Sequence, residues 1–175
     1  MHQKDSLTHN IVLIGFMGSG KSSVGKEICA LNDYFFCDTD SLIECTLNKS
    51  ISEIFIDLGE SAFRAMESRL LEWLKTNARH CVIATGGGMP IFNDVRNLGV
   101  VVYLDSDFEC ITKRLSTDER QSRPLFSDLA KAKELFQTRT SIYKQQADII
   151  ISPKDCALSP KHIAQKIRDC ILHYN

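Results

Sequence analysis

Five short apolar runs, rich in Val, Ile and Phe, recur along the chain at residues 11–16, 35–38, 81–86, 100–105 and 148–152. Runs of this length and composition are typical of buried β-strands. Helical patterns lie between them. Because strands that alternate with helices usually form a parallel sheet covered on both faces, the pattern predicts an α/β fold.

The clearest helical pattern is an apolar stripe of residues spaced three and four apart: Phe63, Met66, Leu70 and Leu74. It predicts a helix over residues 60–75 with one buried face. Residues 22–31 predict a helix directly after the first strand. Residues 51–58 predict a shorter helix, because Ser50 and Glu53 have the spacing of a capping box.

The chain ends in a further predicted helix. Ser159 and Pro160 suit its N-cap and first turn. Its apolar face would consist of Ile163, Ile167 and Ile171.

Two stretches fit the strand–helix alternation poorly. Residues 41–63 look helical but contain no strand, and residues 116–127 are polar and charged. Each is interpreted either as a small mobile insert over a ligand site or as an ordinary surface connection.

Composition limits the class of protein. A chain of 175 residues that is 43% hydrophobic and 25% charged predicts one globular domain. No apolar run approaches the roughly 20 residues that span a bilayer, and the first ten residues do not resemble a signal sequence, so a cytoplasmic protein is expected. The seven cysteines contain no CxxC pair and are predicted to be reduced and mostly buried.

Net charge gives no sign of a polyanionic partner. The 21 basic and 22 acidic residues nearly balance, so neither nucleic acid nor a membrane surface is an expected partner. Any small anionic ligand must therefore be held by a local group of residues.

The strongest chemical signal is the phosphate-loop pattern GxxxxGK[ST], which the segment from Gly15 to Ser22 matches. It lies directly after a predicted strand and directly before a predicted helix. Gly18 and Gly20 leave backbone N–H groups free to surround an anion, and the helix adds its positive end. Lys21 would reach the β- and γ-phosphates, and the Ser22 hydroxyl would ligate Mg²⁺.

The rest of the chain narrows the class of nucleotide-binding protein. A GTPase needs a guanine-reading NKxD motif, but Asn48-Lys49 is followed by Ser50 and Ile51. A motor ATPase would need a longer chain and an acidic strand of the hhhhDE type. A kinase that phosphorylates a small molecule is the interpretation left.

Candidate acceptor-side residues follow the second and third strands. Asp38 and Asp40 come at the end of the second strand, where Asp38 would hold Mg²⁺ waters and Asp40 would accept a substrate hydroxyl proton. The alternative for Asp40 is that it caps the next helix. The glycines from Gly86 to Gly88 end the third strand, either as a ligand surface or as a flexible turn.

Three arginines are further candidates. Arg64 and Glu67 lie three apart on a predicted helix, where an ordinary ion pair is the alternative to a ligand-binding role. Arg123 lies in the polar stretch, and Arg139 lies four residues before Tyr143 in a long helical pattern. Single surface arginines are mostly solvated, so none of the three indicates a functional role when taken alone.

Together these motifs resemble the shikimate kinase family. The matching stretches, in the family's order and spanning about residues 11–153, are GFMGSGKSSVG, CDTD, ISEIFIDLGESAFRAMES, TGGG, RPLF and RTSIY. The resemblance implies a P-loop kinase fold with a five-stranded parallel sheet whose first strand is central. It also implies a shikimate-binding insert at about residues 41–63 and a lid at about residues 116–127.

The resemblance further implies transfer of the ATP γ-phosphate to the 3-hydroxyl of shikimate, in the aromatic amino acid pathway, by a monomer that uses Mg²⁺. Its shikimate-binding residues would be Asp40, Arg64, Gly86, Gly87, Gly88 and Arg139, with Glu67 orienting Arg64. Its ATP-binding residues would be Gly18, Ser19, Gly20, Lys21, Ser22, Ser23, Arg114, Arg123 and Pro153. Lys21, Asp40 and Arg123 would be catalytic, and Ser22 and Asp38 would serve the metal.

Two other functions stay open at this point. One is a kinase of the same architecture acting on another hydroxylated acid, such as gluconate. The other is a regulator that binds nucleotide without turnover.

Overall fold

The computed structural model describes residues 9–115, 126 and 128–173. Its strands are β1 (Ile11–Ile14), β2 (Phe35–Asp38), β3 (Cys81–Ala84), β4 (Val100–Leu104) and β5 (Ile149–Ile151). They form one parallel sheet in the order β2-β3-β1-β4-β5. The predicted strands and the central position of the first strand are confirmed. The prediction that all five are buried is wrong, because β2 and β5 are the outer strands of the sheet and are only partly buried.

The helices follow the predicted alternation. They are α1 (Lys21–Leu31), α2 (Thr39–Leu47), α3 (Ile51–Asn77), α4 (Met89–Phe92), α5 (Phe108–Arg114), α6 (Leu129–Gln146), α7 (Pro153–Cys156) and α8 (Pro160–Leu172). A short 3₁₀ helix covers Arg96–Leu98. Ser159 caps α8 as predicted, since its side chain accepts a hydrogen bond from the N–H of His162.

The alternating side chains of β1 enter two separate hydrophobic cores. Ile11 and Leu13 pack with residues of α1 and α8 on one face of the sheet, among them Ile28 and Ile167. Val12 and Ile14 belong to the core on the other face, which α3 and α6 cover. All four β1 residues are fully buried. The sheet is thus a rigid central layer between two layers of helices.

The α2–α3 segment has a small core of its own, formed by Ile43, Ile54 and Phe63. The capping box at Ser50 and Glu53 is present, as predicted. The two predicted helices form one run, broken at Gly59, which has φ 80° and ψ 167°. Because only glycine adopts this conformation readily, the glycine at position 59 allows the helix to break there.

The parallel arrangement brings three chain segments to one edge of the sheet. Register places Leu13, Asp38 and Ala84 side by side at the carboxyl ends of β1, β2 and β3. The phosphate-loop segment, the start of α2 and the Gly86–Gly88 segment follow directly. In sheets of this type the crevice at this edge is where ligands bind.

The prediction about the cysteines has a mixed outcome. Cys29, Cys37, Cys45, Cys81, Cys110 and Cys170 are free thiols, but only Cys81 is buried and Cys45 is exposed, so the prediction of mostly buried cysteines is wrong for the described residues. Most of the predicted lid at residues 116–127 lies outside the described residues. In the described ranges, no helix is both long enough and apolar enough to cross a membrane.

Candidate active site

The phosphate loop connects β1 to α1 with its lysine turned inward. Lys21 is the first residue of α1 and is buried. Its ammonium group donates hydrogen bonds of 2.9 Å to the carbonyl oxygens of Gly15 and Phe16. Gly20, at the N-cap, has a φ of 95°. The loop therefore holds a positive charge beside the N-terminus of an 11-residue helix, which suits a phosphate group.

The three serines of the loop region differ in exposure. Ser22 and Ser23 are exposed in the first turn of α1, whereas Ser19 is buried. The hydroxyl of Ser19 has no hydrogen-bond partner within the described part of the chain. A buried hydroxyl in this position is available to a bound ligand.

Asp38 links the phosphate loop to α2. Its carboxylate accepts a 2.7 Å hydrogen bond from the Ser22 hydroxyl. The same carboxylate accepts from the backbone N–H groups of Asp40 and Ser41, at 3.1 and 3.3 Å, and so caps α2. The alternative that Asp40 caps this helix is therefore wrong, because Asp38 holds that position and leaves the Asp40 side chain to other contacts.

The glycine segment after β3 lies against acceptor-side residues on both sides. The N–H of Gly86 donates to the Thr39 hydroxyl at 2.8 Å. A Cβ on Gly86 would overlap the Asp40 carboxylate, and a Cβ on Gly88 would overlap the Arg64 guanidinium. Only residues without a side chain allow these close approaches. The segment thus lies in close contact with the side chains of Thr39, Asp40 and Arg64.

Gly87 is the point where the phosphate loop and the acceptor side meet. A Cβ there would lie 3.2 Å from the backbone nitrogen of Met17, in the phosphate loop. Its carbonyl oxygen accepts hydrogen bonds from the Tyr143 hydroxyl at 2.5 Å and from Arg139 Nη1 at 3.4 Å. Burial raises the pKa of Tyr143 to about 12, so it stays a neutral donor at physiological pH.

Arg64 is held by two carboxylates on its own helix. Nη1 donates to Glu67 at 2.6 Å, and Nε and Nη2 donate to one oxygen of Glu60 at 3.1 and 2.8 Å. The side chain of Glu67 is only 1% exposed, that of Arg64 18% and that of Glu60 60%. The predicted pair between Arg64 and Glu67 is present, with the buried carboxylate as the inner partner.

The electrostatics around Glu67 reflect its burial. Burial raises the pKa of its carboxyl, the nearby Asp40 carboxylate raises it further, and Arg64 opposes both effects. One Glu67 oxygen, Oε1, is buried without a hydrogen-bond partner among the described residues. Arg139 Nε is likewise buried and has no hydrogen-bond partner in the described ranges. This edge of the sheet thus has one acidic and one basic side chain, each with a buried polar atom that makes no hydrogen bond among the described residues.

The remaining predicted ATP-side residues are placed less fully. Arg114 ends α5 near the phosphate loop, with Nη1 3.9 Å from the position of a Cβ on Gly20. Pro153 begins α7 directly after β5, at the same edge of the sheet. Arg123 lies outside the described residues.

Three participants were not singled out from the sequence. Glu60 has the i,i+4 spacing to Arg64 that indicates an ion pair, so this signal was available. Thr39 and Tyr143 act through the backbone of the glycine segment, at sequence separations of 47 and 56 residues. No local pattern reports contacts over such distances.

A surface cavity of about 690 Å³ lies away from these residues. Its lining includes His9, Arg79, Arg96 and Gly99, which precede or follow the amino ends of strands. None of the predicted site residues lines it. Because its lining residues lie at the amino ends of the strands, the cavity is at the opposite edge of the sheet from the phosphate loop.

Comparison with known proteins decides the family. A model of the family described as shikimate kinase matches residues 17–172. The chain belongs to the shikimate kinase family. It is an ATP-dependent kinase, a phosphotransferase with the P-loop architecture described above.

Individual relatives agree with this assignment. A shikimate kinase from Helicobacter hepaticus is 54% identical over 162 residues, covering 93% of this chain and 95% of that protein. A shikimate kinase from Clostridium botulinum is 41% identical over 147 residues, covering 81% of this chain and 86% of that protein. The structure of shikimate kinase from Acinetobacter baumannii in complex with shikimate has a TM-score of 0.85 and 32% identity, covering 95% of this chain and 94% of the other.

Proposed function

We propose that this shikimate kinase transfers the γ-phosphoryl group of ATP to the 3-hydroxyl of shikimate, giving shikimate 3-phosphate and ADP. The observation that carries the proposal is the convergence of the phosphate loop, Asp40, Arg64 and Arg139 on the glycine segment after β3. Phosphate-binding and carboxylate-binding groups thus meet at one short stretch of backbone. A kinase with a small anionic acceptor requires this arrangement.

The acceptor's carboxylate would be bound by Arg64 and Arg139. Guanidinium groups bind carboxylates through paired, charge-assisted hydrogen bonds. The buried Nε of Arg139 has no hydrogen-bond partner among the described residues, which supports a ligand there. The backbone of Gly86, Gly87 and Gly88 would then form the wall against which the acceptor packs.

The transfer step would use Asp40 and Lys21. As the acceptor oxygen forms its bond to the γ-phosphorus, the bond from that phosphorus to the β,γ-bridging oxygen breaks and leaves ADP. The acceptor hydroxyl loses its proton, which the Asp40 carboxylate would receive. Lys21 would neutralise charge on the phosphoryl oxygens. Arg114, Arg123 and Pro153 are proposed to contact ATP, with Arg123 acting from a lid at residues 116–127.

Mg²⁺ fits the start of α1. The hydroxyl of Ser22 and the carboxylate of Asp38 lie 2.7 Å from each other there. Both groups offer the hard oxygen ligands that Mg²⁺ prefers. Mg²⁺ commonly takes one or two protein oxygens and completes its shell with phosphates and waters. Ser22 and Asp38 would hold the ion directly or through water. Bound there, it would screen the negative charge of the phosphates.

The remaining expectations belong to the same proposal. Residues 41–63 are proposed as the shikimate-binding insert, and the small core of Ile43, Ile54 and Phe63 supports a compact unit beside the phosphate loop. We also propose that the enzyme is a cytoplasmic monomer. Sedimentation of the purified protein at micromolar concentration tests the oligomeric state, and a dimer would contradict it.

An ADP-release assay coupled to NADH oxidation tests the proposed function. Purified protein with Mg·ATP is expected to release ADP only when shikimate is added, and NMR of the product should show phosphate on the 3-oxygen. A panel of other hydroxylated acids, including gluconate, is the control for acceptor identity. A folded protein that binds ATP but is not stimulated by shikimate would instead support the non-catalytic regulator.

A further inference from the structure

Phe92 is an exposed aromatic residue whose ring contacts a charged side chain of the candidate site. It is the last residue of α4, and 56% of its surface is exposed. Its ring centre nevertheless lies 4.4 Å from Cζ of Arg64. This separation is well inside the roughly 6 Å over which a cation and an aromatic face attract each other. The exposed ring thus covers part of the guanidinium assigned to the acceptor carboxylate.

Phe92 makes the shortest of three such contacts to Arg64 in the described part of the chain. The rings of Phe63 and Phe55 lie 5.2 and 5.9 Å from the same carbon. Phe63 is buried, and Phe55 packs against the small core of the α2–α3 segment, so both have a packing role already. Phe92 belongs to none of the hydrophobic cores formed by the described residues. Its packing is therefore explained by Arg64.

The platform that carries Phe92 is fixed on two sides. Gln146 of α6 donates hydrogen bonds to the carbonyl oxygens of Pro90 and Asn93, at 2.5 and 3.0 Å. Ser68 of α3 donates to the Asn93 side chain at 2.7 Å. The short helix α4 is thereby tied to the helix that bears Arg139 and to the helix that bears Arg64. A ring on this platform has a defined position relative to both arginines.

Gly88 and Phe92 act on the same side chain. They are four residues apart, one at the N-cap and one at the end of α4, and such residues share a helix face. A Cβ on Gly88 would overlap the Arg64 guanidinium. Glu60 and Glu67 hold the N–H edges of the guanidinium by hydrogen bonds. The backbone of Gly88 and the ring of Phe92 therefore add the contacts that hydrogen bonds at the edges cannot supply.

We propose that Phe92 is a positioning residue for acceptor binding, holding the plane of the Arg64 guanidinium through its aromatic face. Two carboxylates at the edges leave a guanidinium free to tilt about the line between them, and a ring against its face opposes that tilt. A carboxylate ligand then meets one orientation of Arg64 in place of several. The inference rests on the shikimate-binding role proposed above for Arg64.

Steady-state kinetics of Phe92→Ala, Phe92→Leu and Phe92→Tyr test the proposal. We expect Phe92→Ala to raise KM for shikimate about 3- to 20-fold, the range of a partly desolvated cation–π contact. The kcat and the KM for ATP should stay within about two-fold of wild type, because the contact that Phe92 makes is with Arg64, on the acceptor side. Phe92→Tyr keeps the aromatic face and should restore the wild-type KM for shikimate.

Two comparisons make the test decisive. Trp73→Ala is the matched control, since Trp73 lies on the same helix as Arg64 and is also 56% exposed; it should leave the KM for shikimate unchanged. Phe92→Leu retains apolar cover without an aromatic face, so it should be impaired like Phe92→Ala. If the alanine variant does not fold, the tyrosine and leucine variants still decide the question.

The proposal is overturned if Phe92→Leu matches Phe92→Tyr, or if Phe92→Ala changes the KM for ATP as much as that for shikimate. An unchanged KM for shikimate in Phe92→Ala would also overturn it. Failure of the wild-type enzyme to phosphorylate shikimate is a separate result, because it would reject the function itself. The wild-type reaction is measured first for this reason.

Discussion

The residue with the most direct chemical role in the proposed reaction is Asp40. Its carboxylate lies against Gly86 and near Glu67, on the acceptor side of the phosphate loop. Asp40→Asn keeps the size of the side chain and removes its basicity. We expect kcat to fall by about 10²- to 10⁴-fold, with the KM for ATP preserved. The kcat is measured as a function of pH. A fall in kcat of only a few-fold would show that Asp40 orients the acceptor without taking its proton.

Substitutions of Arg64 and Arg139 should differ in their effect on the stability of the protein, although both arginines are proposed to bind the same ligand. Arg64→Ala and Arg139→Ala are each expected to raise KM for shikimate about 10- to 100-fold, since each removes a charge-assisted hydrogen bond. Only Arg64→Ala should also lower the free energy of unfolding, by about 1 to 3 kcal/mol, because the buried Glu67 loses its partner. Kinetics and urea denaturation measure the two effects. Equal loss of ATP affinity would contradict the division of roles.

Glu67 should make stability depend on pH in an unusual direction. Burial raises its pKa above the ordinary 4.5, so the native state binds this proton at pH values where the unfolded chain has released it. The contribution of Glu67 to stability therefore declines as pH rises from 4.5 through the raised pKa. Glu67→Gln abolishes this titration. Urea denaturation across that range should show the stability of wild type falling relative to the variant, and a constant difference would contradict it.

At the scale of elements, β1, β3 and β4 followed the apolar runs closely because they are buried parallel strands, which are apolar on both faces. The predicted strands ran too long, mainly at their carboxyl ends, by Gly15 and Phe16 after β1 and by Thr85 and Gly86 after β3. These residues form the loops that build the site. An extended apolar pattern cannot distinguish a strand from the loop that continues it.

The break in α3 at Gly59 is the element-scale feature that most clearly affects the site. Gly59 has no neighbouring atom within 4 Å of an added Cβ, so Gly59→Ala is penalised by backbone conformation alone. We expect a loss of about 1 to 3 kcal/mol in the free energy of unfolding, measured by urea denaturation. The KM for shikimate should rise as well, because Glu60 and Arg64 follow the break. Ser61→Ala, at an exposed helical position, is the control and should change neither quantity.

For the whole molecule, a net charge of −1 does not prevent cationic side chains from meeting at one place. Lys21, Arg64 and Arg139 lie at one edge of the sheet. Glu60 and Glu67 orient Arg64, whereas Lys21 and Arg139 donate to backbone carbonyl oxygens. Anionic ligands should therefore stabilise the fold. Shikimate at 100 times its Kd is expected to raise Tm by about 5 to 10 °C, measured by calorimetry.

The control for this stabilisation is the variant that lacks both acceptor arginines. Arg64→Ala combined with Arg139→Ala should lose the shift in Tm caused by shikimate and keep the shift caused by ATP. Loss of both shifts would show that the variant disturbs the phosphate loop as well. A retained shikimate shift would place the acceptor elsewhere.

The sequence by itself determined the fold class, the order of strands and helices, the phosphate loop and the family. These depend on local patterns: apolar runs, capping residues and motifs of fixed spacing. It also named most of the candidate residues, because each follows the carboxyl end of a strand or lies on a periodic helix.

Only the tertiary structure decided which groups touch. Asp38, and not Asp40, caps α2. The side chains of Asp40 and Arg64 pack against the backbone of Gly86 and Gly88, and the ring of Phe92 covers Arg64. Along the sequence, Gly86 lies 46 residues from Asp40 and Gly88 lies 24 residues from Arg64. Contacts at such separations depend on how strands and helices pack, and no local pattern along the chain records that packing.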